Sequence, residues 1–311
     1  MGVLKSIFLD SIRIPGRIVS QGVTGVPTGM APNPTEAPIL FDRALLRGRM
    51  DRARRAGAVT FLLDHVVEDM ADRLQAVTRD FSGVAEIWSA DELLRRPLAD
   101  RFPSIVRVAP GETEALPLEP ESIDLALSAL ALQFVNDLPG VLAQIRRALK
   151  PDGLLLAAMI GGDTLTELRQ SFAAAEAECE GGVSPRVAPF ADLRDIGGLL
   201  QRVGLALPVA DVDRIVVRYA NAFALMQDLR RMGAGNVLIE RRRTPTRRAT
   251  LLRMAKIYGE RFADSDGRIR ATFDVIWLSG WAPHDSQPKP LKPGSATASL
   301  EAAVKRAPTT E

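Results

Sequence analysis

The sequence is poor in the side chains that build disulfides and metal sites. Its 311 residues include one cysteine, Cys179, and two histidines, His65 and His284. A single cysteine excludes an intramolecular disulfide framework and a cysteine-cluster metal site. Two histidines are too few for a multi-histidine metal site, so we expect no bound metal.

The sequence also lacks an excess of charge of one sign and a long apolar run. Lysine and arginine total 40 against 38 acidic residues, which gives a formal net charge of +2. Proteins that wrap nucleic acid through its phosphates usually have a larger basic excess, so we expect no nucleic-acid partner. No apolar stretch approaches the roughly 20 residues that a membrane span needs, so we expect a soluble, intracellular protein without such a span.

Proline and glycine are concentrated at the two ends of the chain. Residues 1–38 contain five prolines, a density that breaks helices and strands, and they are predicted to form a flexible extension. This extension reflects either an upstream start codon or a basic, acid-poor transit segment. Residues 287–311 carry four prolines and are predicted to form an extended tail. One domain, over residues 39–286, lies between them.

Within this domain, strand-like and helix-like segments alternate. Residues 123–130 are almost wholly apolar, which is typical of a strand buried on both faces, whereas residues 59–78 repeat apolar side chains at helical spacing. The predicted strands are 84–88, 105–108, 123–130, 154–160, 212–219 and 272–281, and the predicted helices are 59–78, 91–101, 138–149, one from 163 onward, 191–203, 221–232 and 246–262. The alternation predicts an α/β fold with a mostly parallel sheet and helices on both faces.

The residues that follow the predicted strands are the first candidates for a functional site. Ligands of open α/β sheets bind at the carboxyl ends of the strands, so the segments 111–117, 128–134 and 161–164 are expected to lie along one cleft.

Three stretches resemble class I S-adenosylmethionine (SAM)-dependent methyltransferases: 112–117 (ETEALP), 121–125 (ESIDL) and 149–153 (LKPDG). In that superfamily they correspond to the adenine-side loop, the fourth strand and the turn before the fifth strand. The resemblance implies a Rossmann-like fold whose last strand is antiparallel, and SAM as the cofactor.

A closer resemblance is to the methyltransferase-like assembly factors of respiratory complex I and their alphaproteobacterial relatives, cousins of the malonyl carrier-protein methyltransferase of biotin synthesis. It covers about residues 40–300. The stretches that carry it are 41–43 (FDR), 134–139 (FVNDLP), 161–169 (GGDTLTELR), 180–185 (EGGVSP), 228–233 (DLRRMG), 280–281 (GW) and 293–296 (PGSA). It implies a protein client such as a complex I subunit, and peripheral association with a membrane complex. It also implies a location in the bacterial cytoplasm, or in the mitochondrial matrix if the chain is eukaryotic.

The segment after the first predicted strand departs from the superfamily pattern. Residues 89–94 (SADELL) contain no glycine, although glycine is what lets the backbone approach SAM closely. Sixteen residues separate Trp88 from Ile105, and one parallel crossover already needs a dozen or more. We therefore expect the first β–α units to be shortened and SAM binding to be weak or lost.

The resemblance implies roles for five residues in binding the cofactor. Glu112 would accept a hydrogen bond from the adenine amino group, or is a solvated turn acid, and Thr113 would supply a backbone contact. Ser128 and Leu130 would lie near the methyl end. Asp91 would hold the amine or the ribose, or is an acid at a helix start.

Three further residues are candidates on the substrate side. Gln133 would position the substrate, because an amide does not act as a general base at neutral pH. Gly161 follows a predicted strand. Asp163 is either the N-cap of the next helix or an acid at the mouth of the pocket.

Three functions follow as hypotheses. The first is SAM-dependent methyl transfer to a protein or carrier-linked acceptor, which depends mainly on alignment and so tolerates the lack of an identified catalytic side chain. The second is a non-catalytic assembly factor with a decayed SAM site, and the third is a protein arginine hydroxylase-like activity.

Overall fold

The computed structural model of the chain describes residues 39–89, 94 and 97–288. The predicted extension over 1–38, most of the predicted tail and the candidate Asp91 lie outside the described residues. Within the described part, no helix combines the length and the apolar character that crossing a membrane requires.

Six strands form one sheet, as the sequence predicted. They are β1 (Val84–Ile87), β2 (Ile105–Val108), β3 (Ile123–Ala129), β4 (Leu149–Gly161), β5 (Ala206–Tyr219) and β6 (Ile269–Trp281). Their order across the sheet is β2-β1-β3-β4-β6-β5. The first four strands pair in parallel, and β6 runs antiparallel to both β4 and β5. The mostly parallel sheet with an antiparallel last strand is therefore confirmed.

In the described part of the chain, seven α-helices cover this sheet. They are α1 (Arg43–Arg55), α2 (Phe61–Gln75), α3 (Leu138–Ala148), α4 (Thr166–Glu180), α5 (Leu193–Arg202), α6 (Ala222–Arg231) and α7 (Arg248–Phe262). Four begin at a side chain that accepts a backbone N–H of the first turn, a contact that stabilises helix starts: Asp42, Asp137, Asp192 and Asn221.

Two apolar clusters show that helices pack on both faces of the sheet. The first joins α2, α4, α6 and α7 to one face of β3, β4 and β6. The second joins α3 and α5 to the other face. All seven residues of β3 are buried, which agrees with its almost wholly apolar sequence.

The first β–α units are shortened, as the sequence predicted. Between Val84 and Pro110 the described residues form two strands, β1 and β2, which lie side by side in parallel. A single crossover therefore connects them, and β2 is the edge strand at this end of the sheet.

Four sequence interpretations need correction. The predicted turn at 150–153 lies inside β4, as a bulge where the register with β3 shifts and Asp152 has a φ of 63°. Asp163 is not an N-cap, because α4 begins at Thr166 after a left-handed Leu165. Residues 97–101 form turns rather than the end of the predicted helix at 91–101. Helix α1 was not predicted at all.

Candidate functional site

The carboxyl end of β1 carries a tryptophan where the superfamily has its glycine turn. Trp88 has a φ of 58°, a left-handed conformation that favours glycine. Its side chain is nevertheless buried within the second apolar cluster. The guanidinium carbon of Arg43 lies 5.4 Å from the centre of the Trp88 ring, within range of a cation–π contact.

Arg43 also fastens helix α1 to the loop that the sequence assigned to adenine. Its Nη2 donates to the carbonyl oxygens of Gly111 at 3.0 Å and Thr113 at 3.1 Å. Its Nη1 lies 2.8 Å from the Glu114 carboxylate, which also accepts the backbone N–H groups of Asn136 and Asp137. Several carbonyl and carboxylate oxygens of this loop therefore already accept hydrogen bonds from within the protein.

The predicted cofactor residues differ in their exposure. Glu112 and Thr113 are exposed, whereas Ser128 is fully buried and its hydroxyl donates to the Ile87 carbonyl at 2.9 Å. Arg43 lies beside the Trp88 ring and holds backbone carbonyls of the adenine-side loop, so less of that loop is free for SAM. We therefore derive no reaction step through SAM.

A cavity of about 840 Å³ lies between the sheet and helices α1, α2 and α6. Leu130 and Gln133 line it, but Glu112, Thr113 and Ser128 do not. The Gln133 amide donates to the Leu130 carbonyl at 2.6 Å, and its oxygen accepts the Ile160 N–H at 3.5 Å. These two hydrogen bonds therefore hold the Gln133 side chain in the lining of the cavity.

The rim of this cavity is basic. We call the nine arginines that line it the arginine wall: Arg49, Arg52, Arg54, Arg186, Arg230, Arg231, Arg241, Arg242 and Arg243. Among the described residues that line the cavity, none is an aspartate or a glutamate. These arginines come from separate stretches of the chain and meet only in the folded protein.

Two acids behind the wall hold part of it in place. Glu176, which is buried, pairs with Arg186, and Glu180 pairs with Arg242. Burial alone would raise the pKa of Glu176, but hydrogen bonds from Ser184 and Arg186 hold that pKa below its ordinary value. These acids neutralise two of the nine wall arginines.

The remaining candidates, Gly161 and Asp163, lie at the carboxyl end of β4. Gly161 is enclosed, since a Cβ there would lie 2.2 Å from the Ile276 side chain. Asp163 is 69% exposed and lies 3.0 Å from Arg214, which also binds the buried Asp274. Burial would raise the pKa of Asp274, but hydrogen bonds from Arg214 and the Asp163 N–H hold it below its ordinary value.

Residues 61–157 match the family model of the methyltransferase domain. The chain is 37% identical over 284 residues to the mitochondrial arginine hydroxylase NDUFAF5 of Danio rerio, covering 84% of this chain and 88% of that protein. It is 39% identical over 173 residues to the malonyl-acyl-carrier-protein O-methyltransferase of Xylella fastidiosa, covering 56% of each. A candidate methyltransferase structure from Bacillus halodurans is 12% identical, with a TM-score of 0.48, and covers 70% of this chain and 100% of that one.

Proposed function

Because the chain belongs to the family of the arginine hydroxylase NDUFAF5, we propose that it promotes hydroxylation of an arginine of a protein client during assembly of respiratory complex I. Molecular oxygen would be the oxidant: one oxygen atom enters an arginine C–H bond, and the other leaves as water with two protons and two electrons from an external reductant. The observation that carries this proposal is the similarity to that hydroxylase, which extends over 84% of this chain. In a bacterium the reaction belongs to the cytoplasm, and in a eukaryote to the mitochondrial matrix. The client is a complex I subunit, which the protein meets at the periphery of the membrane complex.

Asp163 is the side chain best placed to receive the client arginine. It is exposed at the carboxyl end of β4, and it is not among the residues that line the cavity. Arg214 contacts one carboxylate oxygen, Oδ2, and fixes the position of the group. Carboxylates bind guanidinium groups through strong, charge-assisted hydrogen bonds, so Asp163 would hold and orient the acceptor.

The test is mass spectrometry of complex I subunits that are co-expressed with this chain. We expect one arginine to gain an oxygen atom, and Asp163→Asn to lower the modified fraction about tenfold or more, since a hydrogen bond to a charged group contributes about 1.5–3 kcal/mol. Asp213→Asn is the matched control, because Asp213 is a half-exposed acid that contacts His65 elsewhere on the surface.

Each outcome of this experiment has a separate meaning. No modified arginine with the unaltered chain would refute the proposed reaction and leave a non-catalytic assembly factor. A modified arginine that is insensitive to Asp163→Asn would refute only the role of Asp163.

SAM-dependent methyl transfer is the second candidate, favoured by the methyltransferase domain over residues 61–157. It adds a methyl group rather than an oxygen atom, so the same spectra separate the two reactions. With no glycine turn and with Arg43 bound to the adenine-side loop, we expect SAM to bind about tenfold or more weakly than to a glycine-bearing relative. Isothermal calorimetry of both proteins measures this difference.

Glu112→Ala is the internal control for that titration. Because Glu112 is exposed, the substitution leaves the fold intact, and it weakens SAM binding further if the adenine lies against this loop. Binding as tight as in the glycine-bearing relative would show that another group replaces the glycine turn.

A further inference from the structure

The cavity has an apolar region and a basic region, which lie in different parts of its lining. Its floor is apolar and includes Leu168, Phe172 and Phe273, which belong to the first apolar cluster of the core. Its rim is the arginine wall. A volume of about 840 Å³ falls within the range of small-molecule sites, which is roughly 300–1,000 Å³.

The arginine wall carries more positive charge than the protein neutralises. Within the described part of the chain, five of its members have no carboxylate within salt-bridge distance: Arg49, Arg52, Arg230, Arg231 and Arg243. Such an excess around a partly enclosed space favours a bound anion, because the low dielectric of the walls strengthens the attraction.

Arg49 lies close to other positive charges of the arginine wall. Burial lowers the pKa of its guanidinium, and the nearby charges of Arg241 and Arg52 lower it further. Asp42 acts on Arg49 in the opposite sense, but its carboxylate is already bound to Arg241 and the Leu45 N–H. Arg49 therefore sits among like charges without an acid of its own.

We propose that this cavity binds an anionic amphiphile, with a phosphate or carboxylate head at Arg49, Arg52 and Arg241 and an apolar chain on the floor of the cavity. This ligand is additional to the proposed client arginine, which the positive wall would repel. An extended peptide fits less well, because an apolar floor offers no partners for its backbone N–H and C=O groups. An alkyl chain has no such groups to satisfy.

Calorimetry of the full chain with soluble amphiphiles tests the proposal. The probes are dodecyl phosphate and laurate, each below its micelle concentration, with dodecyltrimethylammonium and inorganic phosphate as comparisons. We expect at least one of the two anionic probes to bind, and the preferred one shows whether the head is a phosphate or a carboxylate. We also expect about fourfold tighter binding for each added methylene of the chain.

Substitutions then locate the head group. We expect Arg49→Gln to weaken binding about tenfold or more. Arg248→Gln, at an exposed position outside the cavity lining, should leave it unchanged. Thermal unfolding of both variants verifies that the fold is kept.

Several results would overturn the proposal. They are equal binding of the cationic amphiphile, equal binding of inorganic phosphate alone, affinity that does not depend on chain length, and no effect of Arg49→Gln. Attachment to phosphatidylglycerol vesicles without binding of either monomeric probe would also overturn it, since it would show a membrane-binding surface instead. None of these titrations involves the client, so they succeed or fail independently of the proposed hydroxylation.

Discussion

Trp88→Ala is expected to lower the free energy of unfolding by about 3–5 kcal/mol, the usual cost of removing a large aromatic side chain from a core. The ring is 7% exposed and packs in the second apolar cluster. The indole N–H meets no acceptor among the described residues, so its removal costs no hydrogen bond there. Urea denaturation followed by circular dichroism measures the loss.

Trp88→Gly separates the contribution of the backbone from that of the ring. Both variants lose the contacts of the indole ring, but only glycine adopts a φ of 58° without a steric penalty. We therefore expect the glycine variant to be about 1 kcal/mol more stable than the alanine variant, against the usual preference for alanine. Equal stability of the two variants would show that the left-handed turn stores no strain.

Asp274→Ala is expected to lower the free energy of unfolding by about 2–4 kcal/mol, because three hydrogen bonds to a buried carboxylate are lost. Arg214 donates to Asp274 through Nε at 2.7 Å and Nη2 at 2.8 Å, and the Asp163 N–H donates at 2.9 Å. We place the value below the sum of three charged hydrogen bonds because Arg214 is 55% exposed, and water solvates it after the change.

Asp163→Ala is the control, since it removes the exposed acid that contacts the same arginine and should cost less than about 1 kcal/mol. The pH dependence is a second check. The pKa of Asp274 in the folded state lies below its ordinary value of 3.8, so its stabilising effect is present above that value. It is lost as the pH falls through the lower, folded-state pKa. The difference between Asp274→Ala and the unaltered chain should therefore shrink in acid, and a constant difference would contradict the charge-based explanation.

The sheet could be predicted from the sequence because its central strands are runs of mostly apolar residues. Residues 123–130 read as a strand buried on both faces, and β3 is buried along its whole length. The start of β4 was misread because a Pro-Asp-Gly sequence usually forms a turn. Pairing with β3 and β6 instead absorbs these residues as a bulge, so tertiary contacts overrode the local preference.

Helix α1 escaped prediction because it has almost no apolar face. Six of its thirteen residues are arginines, and Ala53 is its one buried residue. The Asp42 cap and contacts with distant segments hold it in place instead. The cavity escaped prediction for the same reason, since the arginine wall draws on four separate stretches of the chain.

The position of α1 also bears on the order in which the protein is completed on the ribosome. The segment that leads into this helix is synthesised early, but Asn136, 96 residues after Leu40, accepts its backbone N–H groups. Arg241, which follows Asp42 by 199 residues, donates to the Asp42 carboxylate at the start of α1. Domains form during synthesis from contacts that are already available, and distant contacts must wait for the later segments. The part of the arginine wall that lies on α1 is therefore made before most of the domain, and it is among the last parts to be fixed in place.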